Sequence, residues 1–350
     1  MNGNKGREIW RFGRYIVTLS LKSDDMDALD SIKQPIAQEL QRFNALFSET
    51  MQHDNPLLHV ALQHILQQRG KQMRPILILL SAKLYGEVSD AVLHAAVAME
   101  LLHTASLVHD DVVDESNRRR GQQSINALLD NKAAVLVGDF LLSKALQAAA
   151  QTGSVDFVHH MAGLGLSLAD GELVQLDTTH RETFEEATYY EVVAKKTASL
   201  FATCAQVAVM LGEGTADDAE RMRQFGKLLG ICFQLRDDIF DFIRLDVGKP
   251  AGHDMKEGKL TLPVLFALRK GGEQDKEMRH RALAVRQGEA TDADIAALVE
   301  YTRQQGGLQY AQWAMDEFRM MALGLIPEDG PADIVQAFHA YVDFVAERLV

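Results

Sequence analysis

The sequence is poor in cysteine and proline, and it lacks a long uncharged apolar run. Its 350 residues include 2 Cys and 7 Pro. Cys204 and Cys232 cannot form a disulfide framework, so we expect two buried core thiols and a reducing, cytoplasmic location. The most apolar stretch, 91–108, contains Glu100 and two histidines. These polar residues make the stretch a poor membrane span, so no transmembrane segment is predicted.

Positive charge is scarce as well. The chain carries 36 Lys and Arg against 49 Asp and Glu, a formal net charge of −13. This balance argues against nucleic-acid binding, although it leaves room for local phosphate-binding pockets. Residues 1–25 are basic and then mildly apolar, and the apolar part is too short for a secretory signal. We interpret them as a flexible extension that precedes a domain at 26–350.

Helical spacing of apolar residues recurs along almost the whole chain, and no convincing alternating strand pattern is found. Hydrophobic residues make up 47% of the sequence, enough for a sizeable core. The connections are short, so we predict an all-α fold, one large domain of about 12–15 helices. The predicted helices are 27–48, 56–67, 74–84, 90–115, 124–129, 132–149, 154–177, 184–194, 197–212, 216–243, 260–269, 277–286, 292–304, 307–322 and 332–349.

Two long predicted helices, 90–115 and 216–243, end in the same acidic pattern, DDVVD at 110–114 and DDIFD at 237–241. Acids are disfavoured at a helix C-terminus, and like charges four residues apart repel. One such block alone could be a solvated helix end, but two indicate bound cations. Because the candidate ligands are all carboxylates, Mg²⁺ is the expected ion, with substrate phosphates completing its coordination.

Basic residues lie close to both blocks in the sequence. The clusters are Arg118–Arg120 after the first block, Lys249, Lys256 and Lys259 after the second, and Lys71 and Arg74 before the predicted helix 74–84. Each cluster alone would be typical of a solvated surface. Beside two metal sites they indicate diphosphate binding, because guanidinium groups and ammonium groups both bind phosphate oxygens. His103 shares a helix face with Ser106, Asp110 and Asp114, and is predicted to contact a diphosphate.

Five segments resemble the trans-prenyltransferases, or polyprenyl diphosphate synthases. They are GKQMRP (70–75), ELLHTASLVHDDVVDESNRRRG (100–121), KKTASLF (195–201), FQLRDDIFDF (233–242) and GKPAGHDMKEGKLTLP (248–263). The resemblance implies an isoprenoid synthase fold around a deep central cavity, usually as a homodimer. It also implies head-to-tail condensation of isopentenyl diphosphate with an allylic diphosphate, assisted by Mg²⁺ (three ions with substrate bound).

The resemblance also implies a role for each matching residue. Asp110, Asp114, Asp237 and Asp241 would hold Mg²⁺, with Asp111 and Asp238 in support. Arg119, Lys196, Thr197, Gln234, Lys249 and Lys259 would bind the allylic diphosphate, and Lys71, Arg74, His103 and Arg120 would bind isopentenyl diphosphate. In this reaction diphosphate leaves the allylic carbon, the isopentenyl double bond attacks the resulting cation, and a proton is lost, for which the released diphosphate is the candidate base. Water must be kept from the cation.

A chain-length pocket is predicted along the first acidic helix, lined by Ala98, Leu102, Ala105 and Ser106. In the family, an aromatic residue one turn before the first aspartate block resembles a barrier at the bottom of the pocket that stops elongation of the product. Its absence predicts a long product of about seven to ten isoprene units, C35–C50, in a deep apolar pocket. Small residues could instead serve only to allow tight helix packing. A fifteen- or twenty-carbon product is therefore an open alternative. A terpene cyclase and a catalytically silent partner subunit are further alternatives.

Overall fold

The computed structural model describes residues 9–12, 15–18, 22–68, 70–178, 181–243 and 252–347. The predicted all-α fold is confirmed: these residues form 17 α-helices. The predicted extension 1–25 is described only in part, and its flexibility stays a prediction. Lys249 lies outside the described residues. The helices are α1 Lys22–Lys33, α2 Ala37–Thr50, α3 Pro56–Gln67, α4 Met73–Tyr85, α5 Asp90–Val113, α6 Ile125–Leu128, α7 Asn131–Gln151, α8 Val155–Thr178, α9 Glu186–Val193, α10 Ser199–Met210, α11 Ala216–Ile243, α12 His253–Lys256, α13 Leu262–Gly271, α14 Lys276–Arg286, α15 Asp292–Gln305, α16 Gly307–Leu323 and α17 Ala332–Glu347.

The structure corrects the predicted elements in several places. The helix predicted at 27–48 is two helices, because Pro35 lies in a short 3-10 turn, Gln34–Ile36, between α1 and α2. Two short antiparallel hairpins were not predicted, β1 (Ile9–Phe12) with β2 (Tyr15–Thr18) and β3 (Arg118–Arg119) with β4 (Gln122–Gln123). A π-helical turn, Ala194–Ala198, joins α9 to α10. The four-residue helix α12 was also missed.

Helix α5 is the central element of the core. Ser89 caps its N-terminus by accepting a hydrogen bond from the Val92 N–H. The helix packs against α2, α4, α7 and α10. Small side chains such as Ala95, Ala96 and Ala98, all with 0% exposure, allow these neighbours to approach. Burial therefore fixes the direction of α5 and the position of the aspartates at its end.

Helices α10 and α11 approach one another closely at two glycines of α11. A Cβ on Gly226 would lie 2.4 Å from the Phe201 carbonyl oxygen, and one on Gly230 would lie 2.5 Å from the Ala198 Cα. Any side chain at these positions would push the helices apart. The close approach brings the π-helical turn against the C-terminal half of α11, which carries the second aspartate block.

Two helices of the described part, α5 and α7, are long and apolar enough to cross a membrane, with mean hydropathies of 1.5 and 1.4 over their most apolar windows. Of these windows 67% is buried in α5 and 39% in α7. Helix α5 is thus a core helix, whereas α7 presents apolar side chains to solvent. The prediction of no transmembrane segment stays a prediction.

Candidate active site

The first aspartate block lies at the C-terminus of α5. Asp114 is the C-cap residue, and its N–H donates to the Asp110 carbonyl oxygen. Asp111 is 3% exposed and accepts hydrogen bonds from Nε and Nη2 of Arg119 at 2.8–3.0 Å. Burial, together with the carboxylates of Glu172 and Asp114, raises the pKa of Asp110 to about 6. Asp111 thus orients Arg119, while Asp110 lies among other carboxylates.

The second block lies in the last turns of α11 and is held by hydrogen bonds. The Asp238 carboxylate accepts one from the Tyr189 hydroxyl at 2.6 Å and one from Nε2 of Gln234 at 2.8 Å. Asp241 accepts from the N–H groups of His253 and Asp254 at 3.1 and 3.3 Å. Burial is the main cause that raises the pKa of Asp238 and Asp254. These contacts fix the orientation of the block before any ligand binds.

The carboxylates fit a hard divalent ion that also binds substrate. Within the described ranges, no three His, Cys, Asp or Glu side chains come together as a metal site. Mg²⁺ commonly binds through one or two carboxylates and completes its shell with phosphate oxygens and water. Burial, and after it repulsion by Glu172 and Asp114, raises the pKa of Asp110, and a bound cation would relieve the repulsion. Asp110, Asp114, Asp237 and Asp241 therefore remain the candidate ligands.

Each described cation predicted for the allylic diphosphate is paired with a carboxylate of the chain. Besides Arg119 on Asp111, Nζ of Lys196 lies 2.6 Å from Glu172 and 3.0 Å from Oε1 of Gln175. Nζ of Lys259 lies 2.7 Å from Glu257 and 3.6 Å from Asp114. A diphosphate would replace these partners with oxygens of higher charge.

The π-helical turn places Lys196 and Thr197. Thr197 donates from its hydroxyl to Oε1 of Gln234 at 2.8 Å, which joins the turn to the second aspartate block. Gly171 of α8 lies against the turn, because a Cβ there would lie 2.7 Å from Cγ of Lys196. Turns of this kind are frequent at functional sites. Thr197 and Gln234, both predicted to bind the allylic diphosphate, thus contact each other, and Gln234 in turn donates to Asp238 of the second block.

His103 and Arg120, two of the four residues predicted to bind isopentenyl diphosphate, meet beside another face of α5. A cavity of about 60 Å³ is lined there by Gly70, Gln72, Glu100, His103, Asp111, Arg119 and Arg120, among others. Burial, then the charges of Arg74 and Arg120, hold the pKa of His103 well below its ordinary value. His103 is therefore neutral at pH 7. Asp111, rather than Asp110, shares the cavity with it.

Arg74 and Lys71 lie over aromatic rings beside this cavity. The Arg74 guanidinium carbon is 5.3 Å from the Phe201 ring centroid, and Nζ of Lys71 is 4.9 Å from that of Phe344. Nε of Arg74 is buried and has no hydrogen-bond partner in the described part of the chain. Burial lowers the pKa of Arg74, and Glu100 opposes this shift. The arrangement can accept an anion.

The backbone at Arg120 is strained. Arg120 and Gly121, with φ of 51° and 80°, join β3 to β4, a conformation that favours Asn-Gly. The Arg120 guanidinium lies against Gly70, where a Cβ would be 2.7 Å from Cζ, and donates to the Gln68 carbonyl oxygen at 2.6 Å. A non-glycine residue in such a conformation costs about 1–3 kcal/mol, which makes Arg120 a candidate functional residue.

Arg120→Asn is expected to separate stability from binding. Relief of the strain should raise the free energy of unfolding by about 1 kcal/mol. Loss of the charge-assisted contacts should raise the KM for isopentenyl diphosphate about 10- to 100-fold. Denaturant unfolding and steady-state kinetics measure the two effects. The exposed Arg118 of the same hairpin is the control, and an equal rise in KM for Arg118→Asn would contradict the assignment.

The chain-length residues lie on two faces of α5. Ala98, Leu102 and Ala105 are buried at 0%, 7% and 2% exposure. They share a face with His109, whose ring lies against Gly138 of α7, so this face is directed at α7. Ser106 is closer to the Asp110 face, offset by about 40°. Their role in product length stays a prediction.

The sequence missed several residues of the site. Glu100, Asp254 and Glu257 stand inside the quoted motifs, yet no role was predicted for them. Glu172, Gln175 and Tyr189 stand outside the motifs and have no local signal. Glu257 pairs with Lys259, two residues away, whereas the other five interact with a motif residue on a different helix or turn.

Comparisons with known proteins show the family of the chain. Residues 55–302 match the polyprenyl synthetase family. The chain is 36% identical over 286 residues to an octaprenyl diphosphate synthase of Haemophilus influenzae, covering 80% of this chain and 86% of that protein. Its fold is similar to a geranylgeranyl pyrophosphate synthase from Bacteroides thetaiotaomicron, with 41% identity, a TM-score of 0.80, and 92% and 100% of the two chains covered.

A second solved structure is a polyprenyl synthase from Caulobacter crescentus, complexed with calcium and isoprenyl diphosphate. Identity is 31%, the TM-score is 0.84, and 91% of this chain and 98% of that chain are covered. The all-α fold and these likenesses define the class of enzyme, a trans-prenyltransferase that acts on isoprenoid diphosphates. The chain belongs to the polyprenyl synthetase family.

Proposed function

We propose that the enzyme condenses isopentenyl diphosphate head-to-tail with an allylic diphosphate, using Mg²⁺, to give a long-chain all-trans polyprenyl diphosphate. One observation supports the proposal: aspartate blocks end α5 and α11, and two groups of cations lie near them, with Arg119 lining the same cavity as Arg120. One group, with Arg119 and Lys196, suits the allylic diphosphate. The other, with Arg74 and Arg120, suits isopentenyl diphosphate.

The side chains divide the reaction between them. Bound Mg²⁺ would neutralise charge on the diphosphate leaving group. Arg119 and Lys196 would exchange their ion pairs with Asp111 and Glu172 for contacts with the oxygens of the departing diphosphate. Thr197 and Gln234 would orient the same diphosphate. Lys71, Arg74 and Arg120 would hold the second substrate so that its double bond faces the allylic carbon. The four metal-binding aspartates, with substrate oxygens, suit as many as three ions.

A long product, C35–C50, is part of the proposal. It is supported by the small side chains Ala105 and Ser106 before the first aspartate block, and by the octaprenyl diphosphate synthase relative. The geranylgeranyl pyrophosphate synthase relative favours the alternative of a short product. A catalytically silent partner subunit is disfavoured by two complete aspartate blocks and by the Arg119–Asp111 pair.

The decisive experiment is incubation with Mg²⁺, farnesyl diphosphate and isopentenyl diphosphate, followed by sizing of the products by mass spectrometry. Products of C35–C50 are the expected result. A product that stops at C20 would support the short-chain alternative. No elongation by the chain alone would support the partner-subunit alternative and contradict the proposal.

We also propose that the enzyme is a homodimer joined through α7 and α8. Apolar side chains form exposed stripes on both helices, and a large apolar patch marks an interaction surface. The exposed residues are Val135, Leu136, Leu142 and Leu146 on α7, and Val155, Val158, Leu166, Leu173 and Leu176 on α8. A second copy is the favoured occupant, because the same stripes on both chains can cover each other about a two-fold axis.

Replacing Leu166 and Leu173 together with Glu is expected to give a monomer, because these side chains are 74% and 64% exposed in one chain. Sedimentation velocity would measure this, with a dimer expected for the wild type. Leu57→Glu is the control, since Leu57 is 54% exposed but lies on α3. A monomeric wild type, or a dimeric double variant, would contradict the interface.

A cytoplasmic location belongs to the same proposal. It is supported by Cys204 and Cys232, which are buried and free, as a reducing compartment allows. Cell fractionation with an antibody against the chain would measure it. Recovery of the protein in the membrane fraction after a high-salt wash would contradict it.

A further inference from the structure

The C-terminal helix α17 contacts the segment that carries Lys71 and Arg74. The Tyr341 hydroxyl donates to the Met73 carbonyl oxygen at 2.6 Å, and Nζ of Lys71 lies 4.9 Å from the Phe344 ring centroid. Tyr341 and Phe344 are three residues apart and therefore share a helix face. Their exposures are 0% and 4%. Two rigid aromatic side chains thus reach the start of α4 from the far end of the chain.

We propose that α17 forms part of the isopentenyl diphosphate site, with Phe344 as a positioning residue for Lys71 and Tyr341 as an anchor for the backbone beside Arg74. The inference rests on the proposed function, which assigns both cations to that substrate. It goes further because it places a specificity determinant in the last helix, more than 260 residues from the cations in the sequence.

The chemistry of lysine explains why a support is needed. Its ammonium is a point charge on a flexible four-carbon stem, so binding a phosphate requires ordering of the stem. The negative face of an aromatic ring attracts the ammonium electrostatically and confines it. Phe344 is well suited to this, because it is buried and cannot move away from Lys71.

Arg74 is supported in a parallel way. Its guanidinium carbon lies 5.3 Å from the centroid of the Phe201 ring. Because Met73 directly precedes Arg74, the Tyr341 hydrogen bond fixes the backbone from which the arginine extends. The two cations therefore meet the substrate already oriented, which lowers the entropic cost of binding.

Phe344→Leu tests the inference, because leucine keeps an apolar side chain and lacks a π face. The KM for isopentenyl diphosphate is expected to rise about 3- to 30-fold, while the KM for the allylic substrate changes less than about twofold. Phe344→Tyr retains the ring and should restore the wild-type KM. Titration calorimetry with isopentenyl diphosphate alone should show the same loss and recovery of affinity.

Phe338→Leu is the matched control. Phe338 lies on the same helix at 0% exposure, but its ring packs on Phe225 of α11 at 5.4 Å. The Phe338→Leu variant should lower thermal stability as Phe344→Leu does. It should leave the KM values for isopentenyl diphosphate and for the allylic substrate unchanged. Equal rises in the KM for isopentenyl diphosphate in both variants, or no rise in Phe344→Leu, would overturn the inference. Failure of the wild type to elongate would instead overturn the proposed function, and calorimetry would still decide the role of Phe344.

Discussion

Asp110→Asn is expected to lower kcat about a thousandfold while it stabilises the substrate-free enzyme. The loss of activity follows because an amide binds Mg²⁺ weakly. Metal stabilisation of a leaving group lowers the activation free energy by several kcal/mol, and each 1.4 kcal/mol corresponds to about a tenfold change in rate. Steady-state kinetics at saturating substrate measure the loss. A magnesium titration should also show a much higher half-saturating concentration than in the wild type.

The gain in stability follows from the raised pKa of Asp110, about 6 against an ordinary 3.8. The folded protein holds this proton more tightly than the unfolded chain, so ionisation of Asp110 destabilises the fold. The penalty is absent below about pH 4, grows between pH 4 and 6, and is complete above pH 6. Asparagine removes it, so Asp110→Asn should gain about 1–2 kcal/mol at pH 8, after allowance for partial solvent screening.

Denaturant unfolding of the wild type and Asp110→Asn at pH 4, 6 and 8 tests the expected sign of the change in unfolding free energy. The difference in unfolding free energy should grow with pH and level off above pH 6. Asp90→Asn is the control, because Asp90 lies at the other end of α5, exposed and paired with Arg42 at 2.8 Å. A destabilised Asp110→Asn at pH 8, or near-normal turnover, would show that Asp110 is not a strained metal ligand.

The sequence predicts the parts of the site whose chemistry is local. Asp110 and Asp114 lie four residues apart on one helix, so their repulsion can be derived from spacing alone. His103 falls on the same helix seven residues before Asp110, and it is buried beside Arg120, but in a cavity that it shares with Asp111 rather than Asp110. The all-α fold is equally local, because apolar spacing repeats within each helix.

Other parts of the site depend on tertiary packing and leave no local pattern. Glu172 reaches Lys196 only because Gly171 lets α8 lie against the π-helical turn. Tyr189 reaches Asp238 from α9, 49 positions away in the sequence. Phe344 reaches Lys71 from the C-terminal helix. A single acid or aromatic residue on a distant helix looks like any surface or core residue until the helices are placed.

The strain at Arg120 is an intermediate case. The dipeptide Arg120-Gly121 ends the basic run, and glycine after a polar residue is typical of a turn. The sequence therefore indicates a turn, but not that the arginine takes a positive φ of 51°. Asparagine would adopt this backbone conformation at a lower cost in conformational free energy. An arginine in this strained conformation supports the proposed role of its guanidinium in substrate binding.

Phenylalanine at position 106 or 105 is expected to shorten the product. The face of α5 that carries Asp110 also carries Ser106, about one turn or 6 Å before it, so a ring at 106 would close the path of a growing tail. Ser106→Phe should therefore shift the main product from C35–C50 to C15–C20, with little loss of stability. Mass spectrometry of the dephosphorylated products measures the shift.

The Ala105→Phe variant distinguishes two roles for the small residues on this face of α5, lining the product pocket and allowing close helix packing. Ala105 is 2% exposed on the face directed at α7, where the buried residues Ala145 and Ala148 are also small. If these small residues only allow tight packing, a ring at 105 costs about 1–3 kcal/mol of stability and leaves product length unchanged. If they line the pocket, as we propose, the product shortens in both variants. Unchanged product length in both would place the tail elsewhere and return α5 to a purely structural role below Asp110.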